Sequence, residues 1–322
     1  MPHVVCMRPI HPDAIQALRD AGCTVEIPDD TPEARAAALP KAEAIIVRLT
    51  PITREVIAAA PNLRLVARHG VGYDAVDVPA LNERGIPLTI TPEANAVSVA
   101  EHAMMLMLSV ARRTTGYDAN MRKPIWGAVP ELPTFDLAGR TLLIIGFGRI
   151  GTRVAKRAAA FDMKILVSDP KVPRNTIRGL GHTPVDDIDE ALASADVVTL
   201  HLPSNAETRN MVDAAFLAKM KRGAFLINTA RGTLVVEDAL AAALKSGQVG
   251  AAGLDVFYEE PVQAQTALTQ LPNVILTPHA AASTAESMRR MAMSCAESVL
   301  ECFAGRLDPD SVVNPEVLPR RN

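Results

Sequence analysis

Short apolar runs alternate with stretches of helical spacing along the whole chain. In the first hundred residues VVCM (4–7), AIIV (44–47), LRLVAR (63–68) and IPLTI (86–90) read as strands, and 12–21 carries helical spacing. Strand–helix alternation predicts a parallel sheet with right-handed crossovers. Residues 96–113 read as a helix that is apolar on nearly every face, hence buried between domains or subunits. After a Pro- and Gly-bearing stretch at 123–133 the pattern sharpens. Strands are expected at 141–145, KILVSD (164–169), DVVTLHLP (196–203), AFLINTA (224–230), AAGLDVF (251–257) and VILTPH (274–279). Helices are expected at 150–160, 188–195, 214–220 and 237–246, with a last one at 287–304. Near-continuous apolar strands in repeated β-then-α units mark a doubly wound α/β sheet covered on both faces.

The 322 residues exceed one ordinary core and suit two domains. Hydrophobic residues at 48% and charged ones at 21% give a soluble globular balance. A net charge of −3 leaves no electrostatic footprint for nucleic acid or an anionic membrane. A small anionic ligand must therefore be held by local groups. Cys6, Cys23, Cys295 and Cys302 form no CxxC pair and sit at no metal-ligand spacing, so reduced thiols, no metal and a cytoplasmic location are expected. The N-terminus lacks a basic segment followed by a long apolar run, so no signal peptide is expected. Glu101, His102 and Ser109 break the longest apolar stretch, so no membrane span is expected.

Gly146-Phe147-Gly148-Arg149-Ile150-Gly151 fits G-x-G-x-x-G between an apolar strand and a helix, and Asp169 ends the next strand. The first glycine permits the turn, the second lets backbone approach a pyrophosphate, and the third lets helix and strand pack. The helix N-terminus then offers N–H groups to phosphates, with Arg149 as a clamp. Asp169 would accept from ribose hydroxyls and repel a 2′-phosphate, so NAD is expected over NADP. Three later strand ends carry Arg231, Glu260 and His279, at the edge where open α/β sheets bind ligands. Arginine grips a carboxylate in a fork and polarises the adjacent carbonyl. Histidine moves a proton near neutral pH, and a carboxylate behind it fixes its tautomer.

RHGVGYDAVD (68–77), AEHAMMLML (100–108), GRTLLIIGFGRIG (139–151), HLP (201–203), NTARG (228–232), LDVFYEEP (254–261) and TPH (277–279) together make the chain resemble the D-isomer-specific 2-hydroxyacid dehydrogenase family. The resemblance covers nearly the whole chain. It implies a Rossmann dinucleotide domain (97–286) inserted into a flavodoxin-like substrate domain (1–96 and 287–322), with the active site in the cleft between them. It implies hydride transfer between NAD and C2 of a small 2-hydroxy or 2-oxo acid, giving the D isomer. Arg231 would anchor the substrate, His279 would be the acid/base and Glu260 its partner. Asp255, with the backbone at Thr229 and Ala230, would hold the nicotinamide carboxamide, while His201 and Pro203 would line the cofactor cleft. The Gly70-Val71-Gly72 backbone would meet the substrate carboxylate, and His69 beside it is a candidate contact. Arg68 would read a second anionic group, or pair with Asp74 or Asp77. Formate is disfavoured, since formate dehydrogenases carry Gln where this chain has Glu260. Ala280-Ala281-Ala282 replaces the family's frequent Ile-Gly-Gly, which leaves a different backbone path open there.

Other readings stay beside this one. NAD(H)-sensing corepressors resemble the family and keep its catalytic residues, but disordered recruitment tails are not expected here. Many 3-phosphoglycerate dehydrogenases carry a C-terminal regulatory domain, and control through such a domain is not expected here. His102, on the apolar helix, reads as a satisfied buried histidine. The same helix needs more cover than one domain edge supplies, so a homodimer is expected.

Overall fold

All ladders between named strands are parallel, in two sheets that interleave with helices in chain order. The computed structural model describes residues 1–123, 126, 134–262 and 265–318. The chain begins β1 (His3–Cys6), α1 (Pro12–Asp20), β2 (Thr24–Glu26), α2 (Pro32–Ala38), β3 (Ala44–Val47), α3 (Arg54–Ala58), β4 (Leu65–Arg68), α4 (Val78–Glu83) and β5 (Leu88–Thr89). Helices α5 (Ala96–Arg112) and α6 (Thr114–Met121) follow. Next come β6 (Thr141–Ile145), α7 (Arg149–Ala159), β7 (Lys164–Ser168), α8 (Arg174–Gly179), β8 (Thr183–Pro184), α9 (Ile188–Ser194) and β9 (Val197–Leu200). The last elements are α10 (Ala214–Lys219), β10 (Ala224–Asn228), α11 (Glu237–Lys245), β11 (Val249–Leu254), β12 (Val274–Leu276) and α12 (Ala285–Phe303). Two units result: Met1–Asn95 with the segment from Ser283 onward, and Ala96–Ala282.

The first unit has strand order β2-β1-β3-β4-β5, the flavodoxin-like order. Side chains alternate across the sheet because the strand period is two. Val5, Ile45, Val47 and Val66 pack with Ala38, Ile57 and Leu81 on one face. Val4, Cys6, Ile46 and Leu65 pack with Leu18 of α1 and with Ala292, Cys295 and Val299 of α12 on the other. Thr284 caps α12 by accepting from Ser287 N at 3.1 Å, which starts the helix two residues before the expected position.

The second unit has the order β12-β11-β10-β9-β6-β7-β8, a Rossmann sheet with its switch point between β6 and β9. Leu142, Ile144, Phe225 and Ile227 face α5 and α7. Leu143, Ile145, Val198, Leu200 and Leu226 face α9, α10 and α11. Helix α5 ends at Arg112 because Arg113 adopts a left-handed conformation (φ 51°). It is not covered all round within this chain, since Val97, Glu101 and Met105 form an exposed stripe.

Strands β2 and β8 and the short helices α2, α3, α4 and α8 show no clear period, and α6 buries no residue and so carries no apolar face to read. Most of the 123–133 stretch lies outside the described residues. Among the described residues no helix is long and apolar enough to cross a membrane, and no cluster of three metal-binding side chains occurs.

Candidate active site

The carboxyl end of β6 turns through Gly146 (φ 94°), where a Cβ would lie 2.5 Å from the His201 carbonyl oxygen. A Cβ on Gly151, in the first turn of α7, would lie 2.1 Å from the Gly146 carbonyl oxygen, so helix and strand close together only with glycine there. Gly148 differs: a Cβ there meets nothing within 4 Å. It opens α7 with no side-chain cap, leaving the first-turn N–H groups from Arg149 onward for an anion. Asp169 follows β7, and its carboxylate accepts from Phe147 N at 2.7 Å and Lys171 N at 2.8 Å. The glycine turn is thereby tied to the next strand, and further lone pairs remain for hydroxyl donors.

Two adjacent strand ends, after β9 and β10, carry buried polar atoms without a hydrogen-bond partner among the described residues. They are His201 Nδ1 and Thr229 Oγ1. His201 Nε2 lies 2.9 Å from Thr199 Oγ1, and burial pushes the imidazole down to about 3, so it is neutral. Pro203 O accepts from Thr208 Oγ1 at 2.7 Å. An open approach at the second glycine, an uncapped helix and unpartnered atoms on the next strands fit a dinucleotide laid along this edge.

After β10, Asn228 shapes the turn that presents Arg231. Its Oδ1 accepts from Ala230 N at 3.0 Å and its Nδ2 donates to Arg231 O at 2.9 Å. Arg231 Nη1 donates to Ala230 O at 2.6 Å. A Cβ on the following Gly232 would fall 1.8 Å from the Phe257 carbonyl carbon, so the arginine loop and the loop after β11 touch backbone to backbone. In that second loop Glu260 Oε1 accepts from Phe257 N at 2.9 Å. Glu260 Oε2 lies 2.6 Å from His279 Nδ1. Burial pushes the Glu260 carboxyl up. The His279 hydrogen bond, the Phe257 N–H and the charges of His279 and Arg231 outweigh it and hold the carboxyl below its usual range. The Glu260 carboxylate thus answers to both His279 and Arg231.

His279 has φ 50°, a left-handed conformation that costs a non-glycine residue about 1–2 kcal/mol. Asp255 compensates. Its carboxylate is fully buried and accepts from Thr277 Oγ1 (2.5 Å), Ala280 N (2.8 Å) and Ala281 N (2.9 Å). His102 Nε2 lies 2.8 Å from Thr277 Oγ1 and 3.4 Å from Asp255 Oδ1. A carboxylate has about four lone-pair sites, so Asp255 is chiefly the anchor of the His279 turn. The left-handed residue is His279 itself, not its followers, which is why alanines suffice at 280–282.

In the first unit, Arg68 Nε donates to Gly72 O at 2.7 Å and Arg68 Nη1 donates to His69 O. The guanidinium therefore braces the loop of Gly70 (φ 137°), Val71 and Gly72 from inside. His69 is 2% exposed, both its ring nitrogens lack partners among the described residues, and burial pushes it down to about 4. The sequence assigns Thr277 and His102 no role in the site because their partners lie far away in the chain. Asn228 pairs with its near neighbours Ala230 and Arg231, but nothing in its sequence setting distinguishes it from an ordinary loop amide.

The family model described as D-isomer specific 2-hydroxyacid dehydrogenase, NAD binding domain, matches residues 104–281. D-3-phosphoglycerate dehydrogenase of Methanocaldococcus jannaschii is 39% identical over 99% of this chain and 61% of its own length. The chain thus spans less than two thirds of that relative. Hydroxypyruvate reductase of Thermotoga maritima is 41% identical over 82% of this chain and 85% of its own length. The crystal structure of D-lactate dehydrogenase from Aquifex aeolicus, complexed with NAD and lactic acid, superposes with a TM-score of 0.86 at 31% identity, covering 99% of this chain and all of that one (100%). On these matches the chain belongs to the D-isomer-specific 2-hydroxyacid dehydrogenase family.

Proposed function

We propose that this chain is an NAD-dependent oxidoreductase of small D-2-hydroxy and 2-oxo acids, of the size of glycerate and hydroxypyruvate or 3-phosphoglycerate. The observation that carries this reading is the 2.6 Å contact of His279 Nδ1 with Glu260, whose carboxyl also feels the Arg231 charge. When bound, NAD supplies or accepts the hydride at C2. Gly146, Gly148, Arg149, Ile150 and Gly151 would hold its pyrophosphate, Asp169 its ribose, and the 229–230 and 201–203 segments its nicotinamide end. Arg231 takes the substrate carboxylate and polarises the C2 carbonyl. Glu260 keeps a proton on Nδ1, so Nε2 is the atom that gives its proton to the C2 oxygen in reduction and takes it back in oxidation.

Residues 96–282 serve as the NAD domain and the 1–95 and 283–322 segments as the substrate domain. The Val71 and Gly72 N–H groups would meet a carboxylate, the Gly70 N–H being donated to Arg68 O at 2.9 Å, with Arg68 bracing that loop. We further propose a homodimer formed over the exposed α5 stripe of Val97 and Met105, and a cytoplasmic location in keeping with four free thiols. The dehydrogenase and reductase names of the relatives support the enzyme over a corepressor-like sensor.

The test is loss of NADH absorbance with a panel of 2-oxo acids, run also with NADPH. Turnover of hydroxypyruvate or its phosphorylated form, with NADH preferred, is expected. Tight NADH binding without turnover of any panel member would replace the enzyme reading by the sensor.

A further inference from the structure

The loop that carries Glu260 is held at points that the acid/base chemistry does not require. Tyr258, 45% exposed, receives a 2.6 Å hydrogen bond on its hydroxyl from Arg209 Nη2. The same guanidinium lies over the tyrosine ring, 5.1 Å from its centroid. Tyr258 N donates to Glu237 Oε1, in the first turn of α11, at 2.8 Å. Both holds fall on Tyr258, the residue next to the Phe257 whose N–H donates to Glu260.

Arg209 is itself fixed from the other side. Its N–H donates to Asn205 O at 2.9 Å, and the next residue, Asn210, donates from its N–H to Thr233 O at 2.9 Å. Thr233 Oγ1 donates to Ser204 Oγ at 2.8 Å. The loop after β9, which begins with His201 and Pro203, is thereby laced to residues just beyond Arg231. It reaches Glu260's loop through one arginine.

We propose that Arg209, Tyr258 and Glu237 form a latch of positioning residues that joins the β9, β10 and β11 loops and sets the orientation in which Glu260 meets His279. None of the three touches the reacting atoms. They act through the Phe257–Tyr258 backbone, and the inference rests on the acid/base reading of Glu260 and His279. An exposed Arg–Tyr pair kept only for stability would have little effect when removed. A pair that positions a catalytic carboxylate has a large one, because small misplacements at a reacting centre cost up to about a hundredfold in rate.

The test uses full-length Arg209→Ala, Tyr258→Phe, Glu237→Ala and Glu237→Gln. One readout needs no activity: the proton NMR signal of the His279 Nδ1–H, which a short histidine–carboxylate hydrogen bond moves far downfield. Arg209→Ala and Glu237→Ala are expected to shift or broaden it and to lower kcat roughly tenfold or more, with KM for NADH unchanged. Glu237→Gln keeps an acceptor for Tyr258 N and is expected to rescue both readouts. Should Arg209→Ala fail to fold, Tyr258→Phe, which keeps the ring, carries the same comparison. An unchanged signal with unchanged kcat, or an effect confined to KM for the 2-oxo acid, overturns the latch. A wild type that turns over no 2-oxo acid overturns the acid/base reading instead, and the NMR comparison still decides whether the latch orients His279.

Discussion

The carboxyl-end edge of the first sheet and the β11–β12 end of the second solve the same problem in opposite ways. In the second unit the polar side chains that follow β11 and β12 satisfy one another: His279 with Glu260, and Asp255 with Thr277, His102 and two backbone N–H groups. In the first unit Thr50 Oγ1, both nitrogens of His69 and Thr91 Oγ1 are buried without partners among the described residues, as is Ser287 Oγ at the start of α12. A buried polar atom left unpaired costs about 1–3 kcal/mol. The first edge carries that cost; the β11 and β12 ends of the second avoid it, while its β9 and β10 ends leave His201 Nδ1 and Thr229 Oγ1 unpartnered among the described residues. Chemistry that depends on orientation belongs where the polar groups already fix each other.

Removing a partner from the satisfied edge should therefore do the most damage. Asp255→Ala leaves the Thr277 hydroxyl and the Ala280 and Ala281 N–H groups buried and unpaired. A loss of about 3–5 kcal/mol is expected, read as a lower thermal midpoint, and an unchanged midpoint would show that the turn is held without Asp255. The unsatisfied edge should respond to pH. His69 is pushed from its ordinary 6.5 to about 4 by burial. Between those values the unfolded chain binds a proton that the folded chain does not, so stability is lost as pH falls through that window. The His69 share is about 3 kcal/mol. His69→Phe should flatten that slope in urea titrations at stepped pH, and an undiminished slope would move the effect to another group, such as His201, which burial of its ring also pushes down.

At the satisfied edge, His279→Gln removes the proton carrier and should lower turnover about a hundredfold while NADH affinity holds. Near-normal rates would take His279 out of the mechanism. The smallest effect is expected at Asp169→Ala, which should narrow the preference for NADH over NADPH by roughly tenfold, the worth of one charge-assisted hydrogen bond. The idea fails if the ratio of kcat/KM for the two cofactors does not move.

Much of this architecture was readable in the chain because buried parallel strands are apolar on both faces. Runs such as TLLII and AFLI announce themselves, and the polar residue that ends each run marks the ligand edge. Gly146, Asp169, Arg231, Glu260 and His279 were all legible in that way. Strand β8 was not, since two residues ending in Pro184 at a sheet edge have no period to show. Nor was the network of His102, Thr277 and Asp255, which joins α5, the end of β12 and the end of β11 across 175 and 22 positions of sequence. Nothing local distinguishes a histidine on an apolar helix that packs from one that braces a catalytic turn. The all-round apolar character of α5 suggested complete burial, whereas the exposed Val97 and Met105 stripe depends on which neighbours one chain supplies.

The discontinuity of the first unit has a consequence for how the chain acquires its structure. Its sheet is complete by Thr89, yet one face is covered by Ala292, Cys295, Ala296 and Val299 of α12. Asn314 adds a clasp, accepting from Leu88 N at 2.8 Å and donating to Ile86 O at 3.0 Å. During synthesis the β1–β5 sheet must wait with that face covered only in part, by α1, until some two hundred further residues have emerged, while the second unit, continuous in sequence, can close on its own. Contacts of such long sequence separation form slowly. The nascent first unit is therefore the stretch of this protein most in need of protection from aggregation.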